Sequence, residues 1–201
     1  MKFNNILLAG RYASVISISA FILLVGCNSE PTVNTERVTS YEEDQKALLK
    51  QGEYLVTIMG CNDCHSPKVF TENGPVPDPN RLLSGHPSNE PIAEINKDAL
   101  KGWVLFGMHN TAVAGPWGVS FAGNITSDET GIGLWDYEHF KTALTKGKFK
   151  GIESARDLLP PMPWPNYTQM KDSDIKAIFA YLKSTKPINN IVPNPIAPNE
   201  L

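Results

Sequence analysis

The chain has 201 residues, 41% of them hydrophobic, with 18 basic against 21 acidic side chains and a formal net charge of −3. That length suits one domain with a real core, and the mildly acidic balance argues against nucleic acid as a partner. Three cysteines, an odd number, leave no simple disulfide framework.

Residues 1–11 carry Lys2 and Arg11 and no acid, and residues 12–25 form a mostly apolar run too short for a comfortable membrane span. This is the layout of an export signal. It ends in Leu24-Val25-Gly26-Cys27, which resembles the lipobox of bacterial lipoproteins, where the cysteine is lipidated and becomes the mature N-terminus. An ordinary signal peptide with a leftover cysteine is the alternative. Residues 1–26 are thus expected to be a lipoprotein signal peptide, and their removal leaves a more acidic chain. Residues 27–39 are expected to be the lipidated Cys27 and a flexible tether, since they are polar, lack hydrophobic periodicity and contain Pro31.

The domain is expected from residue 40. Ser40 with Glu43 three residues on makes a capping box, and Ala47, Leu48, Tyr54, Leu55 and Ile58 supply the apolar positions of a helix. Gly52 interrupts it, either as a tolerated defect or as a close crossing with another helix. The helix leads into Cys61-Asn62-Asp63-Cys64-His65, which reads C-x-x-C-H, the attachment signal for a c-type haem. Two cysteines three positions apart lie on one face of a helical turn, so both thiols can form thioethers to one edge of a porphyrin. His65 then falls where an imidazole can ligate the iron, its other ring nitrogen donating to a backbone carbonyl. A zinc ribbon would need a second Cys or His pair, and a thioredoxin-like dithiol would want the motif at the end of a strand in a βαβ unit. With Cys27 assigned to lipid and Cys61 and Cys64 to haem, no cysteine is left for a disulfide.

Residues 66–97 are rich in Pro, Gly, Asn and Ser and are expected to be a long loop around the haem edge. Asp98 or Asn96 is expected to cap a short helix through Leu100, Trp103, Val104 and Phe106. Gly115-Pro116-Trp117-Gly118 and Asp128-Glu129-Thr130-Gly131 mark turns. Asp136 caps a helix bearing Tyr137, Phe140, Ala143 and Leu144 that Gly147 stops. The last helix, capped by Asp172 or Ser173, places Ile175, Ile178, Phe179 and Leu182 on one buried face and ends before Pro187. No stretch shows sustained strand alternation. The Pro-rich tail, residues 191–201, is extended, wrapped on the surface or disordered.

A six-coordinate haem needs a second axial ligand, and Met59, Met108, Met162, Met170, His86, His109 and His139 are available. Met162 stands out because it sits in Pro160-Pro161-Met162-Pro163-Trp164-Pro165, where prolines fix their own backbone and restrict their predecessors. A stiff loop carrying one soft thioether suits a weak Fe–S bond. The alternative is that Met162 fills core beside Trp164. His86 reads as part of a turn, His109 as a loop residue and His139 as solvent-facing. The four tryptophans read as pocket wall and core.

The order helix, C-x-x-C-H, long middle region, methionine loop, C-terminal helix resembles class I c-type cytochromes, over about residues 40–191. The segments Gly115-Pro116-Trp117-Gly118, Asn124-Ile125-Thr126, Gly131-Ile132-Gly133 and Met162-Pro163-Trp164 are similar to monohaem relatives of the cytochrome subunits that serve periplasmic quinoprotein dehydrogenases. The resemblance implies an all-α fold around one haem, occupying residues 40–190, with long irregular loops. It implies haem c on Cys61 and Cys64, His65 and Met162 as axial ligands, and a first helix crossing the last near Gly52, Phe179 and Tyr181. The function it implies is electron transfer rather than catalysis, with a dehydrogenase or a terminal reductase or oxidase as redox partner. Cys27 would anchor the protein to a bacterial membrane, the domain facing the periplasm or exterior. The alternatives are a haem enzyme, as peroxidase or dehydrogenase haem subunit, and a sensor with five-coordinate haem.

Overall fold

The computed structural model describes residues 35–201. Two helices, five short strands and two further helices follow one another: α1 (Thr35–Ile58), α2 (Cys61–His65), β1 (Lys68–Thr71), β2 (Gly74–Pro77), β3 (Leu105–Phe106), β4 (Ala112–Gly115), β5 (Gly118–Phe121), α3 (Tyr137–Lys146) and α4 (Asp172–Ser184). Among the described residues no helix is long and apolar enough to cross a membrane. The signal peptide, Cys27 and residues 28–34 of the expected tether lie outside the described residues.

The expected all-α class is corrected to a mixed α/β one, because two small antiparallel sheets accompany the helices. β1 and β2 form a hairpin with Val69 opposite Val76, and β3, β4 and β5 form a three-stranded sheet with Val113 opposite Ser120. These strands have no alternating pattern to detect. All four residues of β4 are buried, and β2 contains Pro75 and Pro77, so the period-2 signal of a half-buried strand is missing. The short helix expected near Trp103 is a single 3-10 turn, Ala99–Lys101, followed by extended chain. Its start is held by Asn96, whose side-chain oxygen accepts from the amides of Asp98 and Ala99.

Helix α1 begins at Thr35, ahead of the expected Ser40 cap, so the last five residues of the expected tether are helical. Helix α3 follows the sequence closely. Asp136 accepts from the His139 amide at 2.9 Å, and Gly147 ends the helix in the left-handed conformation at φ 64°. Helix α4 begins at Asp172 with Lys171 before it and no side-chain cap, which differs from the Asp172 or Ser173 cap expected. Asp172 instead reaches across to α3, where Tyr137 Oη, Lys141 Nζ and its own helix's Lys176 Nζ surround it at 2.5 to 2.8 Å.

One hydrophobic cluster unites Val56 of α1, Leu83, Ile132, Phe140 and Leu144 of α3, and Ile175, Ile178 and Leu182 of α4. Gly52 lies where α1 meets α4: a Cβ there would stand 2.0 Å from the Ala177 carbonyl oxygen and 2.6 Å from Tyr181 Cβ. The close-crossing reading of Gly52 therefore matches the structure, and the defect reading does not. Of the tryptophans, Trp103 is 73% exposed and belongs to no core. The tail is ordered against the rest: Ile196 and Val119 exchange both backbone hydrogen bonds, at 2.9 and 3.0 Å.

Candidate functional site

Two residues, Met59 and Gly60, separate α1 from the motif helix α2, and Gly60, at φ 68°, makes the corner. Cys61, Cys64 and His65 are each half-buried on α2. Burial pushes the Cys61 thiol up to about 11, with Asp63 and Cys64 adding to the rise, and raises Cys64 as well. Both thiols are therefore protonated at neutral pH. A redox dithiol needs the opposite, a thiolate stabilised by its surroundings, so the pair is poorly suited to thiol–disulfide exchange.

His65 Nδ1 lies 2.7 Å from the Gly123 carbonyl oxygen. A carbonyl can only accept, so Nδ1 carries the proton and Nε2 carries the lone pair. Burial outweighs the Gly123 bond and, with Lys68 adding, holds the imidazole below its ordinary pKa. The ring is consequently neutral at neutral pH, as a metal ligand must be. The backbone around it is also fixed. The His65 carbonyl accepts from the Gly85 amide at 2.7 Å, and the fully buried Ser66 Oγ donates to Asn62 Oδ1 and accepts from the Leu83 amide, both at 2.7 Å.

Met162 is half-buried and packs against the same hydrophobic cluster as Cys61, Met59, Tyr167 and Met170. Its loop is tied at both ends. Before it, the Pro160 carbonyl accepts from Ser120 Oγ at 2.5 Å, and Ser120 in turn accepts from Trp117 Nε1 at 3.2 Å. After it, the Trp164 ring lies over Gly147, where a Cβ would come within 2.3 Å of the indole. The segment continues through the 3-10 turn Trp164–Tyr167, whose Tyr167 phenol is raised by burial and by the nearness of Cys61 and Cys64. The methionine loop thus approaches the face of α2 that bears the cysteines.

The other candidates are placed differently. Met108 is 76% exposed. His109 is engaged at both nitrogens, Nδ1 accepting from the Lys68 amide at 2.9 Å and Nε2 lying 3.2 Å from Glu90. His139 is exposed beside Asp136, as expected. His86 lies at a bend and is buried, with Nδ1 2.9 Å from Thr111 Oγ1 and its ring 4.8 Å from that of Phe121. Among the described residues no group of three His, Cys, Asp or Glu could hold a metal ion. The residues present do fit haem c: two thiols one turn apart, an adjoining imidazole with a free Nε2 lone pair, and apolar side chains with a thioether alongside. The sequence missed Ser66, Gly85, Gly123 and Ser120, because their roles run through backbone contacts between distant segments.

No family model matches the chain. It is 30% identical over 141 residues to the cytochrome c subunit of gluconate 2-dehydrogenase from Pantoea cypripedii, covering 70% of this chain and 24% of that one. It is 28% identical over 149 residues to the cytochrome c subunit of the quinone alcohol dehydrogenase of Gluconobacter oxydans, covering 73% and 23%. To the cytochrome subunit of fructose dehydrogenase from Gluconobacter japonicus it is 26% identical over 184 residues, covering 89% and 29%. The chain spans about a quarter of the length of these curated relatives. The resemblance read from the sequence therefore holds: over most of its own length, this chain is similar to the cytochrome c subunits of dehydrogenases.

Proposed function

We propose that this chain is an electron carrier with one haem c, held by thioethers to Cys61 and Cys64 and ligated by His65 and Met162. The observation that carries the reading is His65 itself: it directly follows two thiols on one helical turn, and the Gly123 carbonyl fixes Nε2 as its open nitrogen. Bound there, haem c supplies a one-electron couple between ferric and ferrous iron. The chain's own residues do the rest. Cys61 and Cys64 tether, His65 presents a neutral imidazole, and the Met162 loop, held by Ser120 and Trp164, presents a soft thioether that favours the reduced state. No bond-making chemistry is assigned to the chain, and its redox partner is a dehydrogenase, as for the subunits it resembles, or a terminal reductase or oxidase. Lipid on Cys27, following the Leu24-Val25-Gly26-Cys27 signal, anchors it to a bacterial membrane with the domain facing the periplasm or exterior.

The test is made on purified protein. Haem stays with the polypeptide through acid-acetone extraction, and a Cys61→Ala, Cys64→Ala variant loses it. The reduced protein does not bind carbon monoxide, because both axial sites are filled. Extractable haem refutes covalent attachment, and ready carbon monoxide binding moves the protein to the haem-enzyme or sensor class.

A further inference from the structure

Lys68 is a buried lysine, 6% exposed, and its surroundings are unusual. Its Nζ donates to three backbone carbonyls, those of Asn62 at 3.0 Å, Asp63 at 2.9 Å and Ser66 at 2.6 Å. Those carbonyls belong to the C-terminal end of α2 and the residue that follows it, where a helix leaves its last oxygens without intrahelical partners. An ammonium has three donors and no acceptor. A neutral amine would turn a lone pair toward one of the three oxygens, so the arrangement fits the charged form. The negative end of the helix dipole favours a cation at the same place.

The lysine is itself held. Its backbone amide donates to His109 Nδ1, and Glu90 lies 3.2 Å from the other side of that ring. Its backbone also pairs in the hairpin, opposite Pro77. A residue fixed at its backbone, with its side chain folded back onto the preceding turn, keeps a positive charge three positions from His65. A fixed cation near a redox centre disfavours the oxidised, more positive state, and burial weakens solvent screening of that effect.

We propose that Lys68 is a positioning residue for the electron-transfer site: its ammonium closes the carbonyl end of the Cys61–His65 helix, and its fixed charge raises the reduction potential. This rests on the haem reading above. Two roles are combined, and three substitutions separate them. In Lys68→Gln the amide still donates to two carbonyls but carries no charge, so covalent haem is retained and the midpoint potential shifts down. Lys68→Met donates to none of them, and it adds a loss of haem per polypeptide to the same downward shift. Lys68→Arg keeps the charge and the wild-type potential, while Lys101→Gln, which removes an exposed lysine paired with Asp98, leaves potential and haem content unchanged.

A lysine that only stabilises the fold would leave Lys68→Gln at the wild-type potential, and that result overturns the proposal. Where neither neutral variant accumulates, the unaltered protein decides. A slowly exchanging Nζ ammonium signal for Lys68 by nitrogen-15 NMR supports the proposal, and an ammonium in fast exchange with water overturns it. Wild-type protein without covalent haem, measured by its pyridine haemochrome, refutes the haem reading instead, and the Lys68 ammonium signal is then still readable on the haem-free chain.

Discussion

Replacing Gly52 with alanine is the sharpest test of how α1 is set against α4. The new methyl would stand 2.0 Å from the Ala177 carbonyl oxygen, against an ordinary contact of 3.4 Å or more, and 2.6 Å from Tyr181 Cβ. Neither neighbour can rotate away, because one is backbone and the other is the first atom of a side chain. The helices must part by more than an ångström, and a gap of that size forfeits about a quarter to a half of each lost contact. Overpacking of a well-filled core costs about 1 to 3 kcal/mol, and a clash with fixed atoms belongs at the upper end. Alanine returns about 1 kcal/mol of helix propensity. The net is a loss of about 2 kcal/mol, which lowers Tm by about 4 to 8 °C for a chain of this size. Thermal melts followed by far-ultraviolet circular dichroism and by haem absorbance measure it, with Gln51→Ala, one residue away and exposed, as a control that changes stability by no more than about 0.5 kcal/mol. A Gly52→Ala protein that melts at or above the wild-type temperature refutes the close crossing.

Met162→Ala should abolish the weak sulfur-to-iron band of the oxidised protein, open the sixth position to carbon monoxide and lower the potential, while Met108→Ala, at an exposed site, changes none of these; a sulfur band that survives loss of Met162 removes it as ligand. Ser120→Ala leaves the Pro160 carbonyl and the Trp117 indole N–H without their partner, so urea unfolding should show a loss of about 1 to 3 kcal/mol, and an unchanged midpoint would mean the tie is not a restraint. The donors around Asp172, Lys141 first, then Lys176 and Tyr137, hold its carboxyl well below the usual carboxylate range. Such a group contributes stability above its unfolded pKa of about 4 and loses it as pH falls toward the folded value, so denaturant midpoints between pH 5 and 2 should fall less steeply for Asp172→Asn than for wild type. Cys27→Ser should leave the haem in place and move the protein from the membrane fraction to the soluble one, and wild-type protein that is itself soluble would overturn the anchor.

What the sequence revealed, and what it hid, follows the range of the interactions concerned. Helix α3 was legible because its start and stop signals are local: Asp136 accepts from an amide three residues on, and Gly147 needs only its own left-handed backbone. The motif Cys61 to His65 was legible for the same reason, as was the buried stripe of α4. The three-stranded sheet was not, because β4 is built from Ala112, Val113, Ala114 and Gly115, all buried, with no polar face to alternate against. In the hairpin, Pro75 and Pro77 spoke against a strand. The partners of the site were harder still. Nothing near Lys68 in the sequence announces a lysine that bonds carbonyls, and Gly123 lies 58 positions from the His65 ring it orients.

The C-terminal segment sets the order in which the structure can be finished. Asn190 donates its side-chain amide to the carbonyls of Ser84 and His86, accepts from the Ser88 amide, and bonds Thr130 through its backbone. Asn124 reaches the Ile188 carbonyl, and Ile196 pairs with Val119. These closures span some 60 to 106 positions, the costliest kind of loop for a chain to close early. The segment at residues 84–88, whose Gly85 secures the His65 carbonyl, therefore cannot complete its own bonding until residue 190 has been made and brought home. A nascent or trimmed chain ending before that point retains the cysteines and histidine of the motif but not the Asn190 bonds to this segment, so its Ser88 amide, which Asn190 accepts from in the full chain, should exchange with solvent well ahead of the amides in α3 and α4.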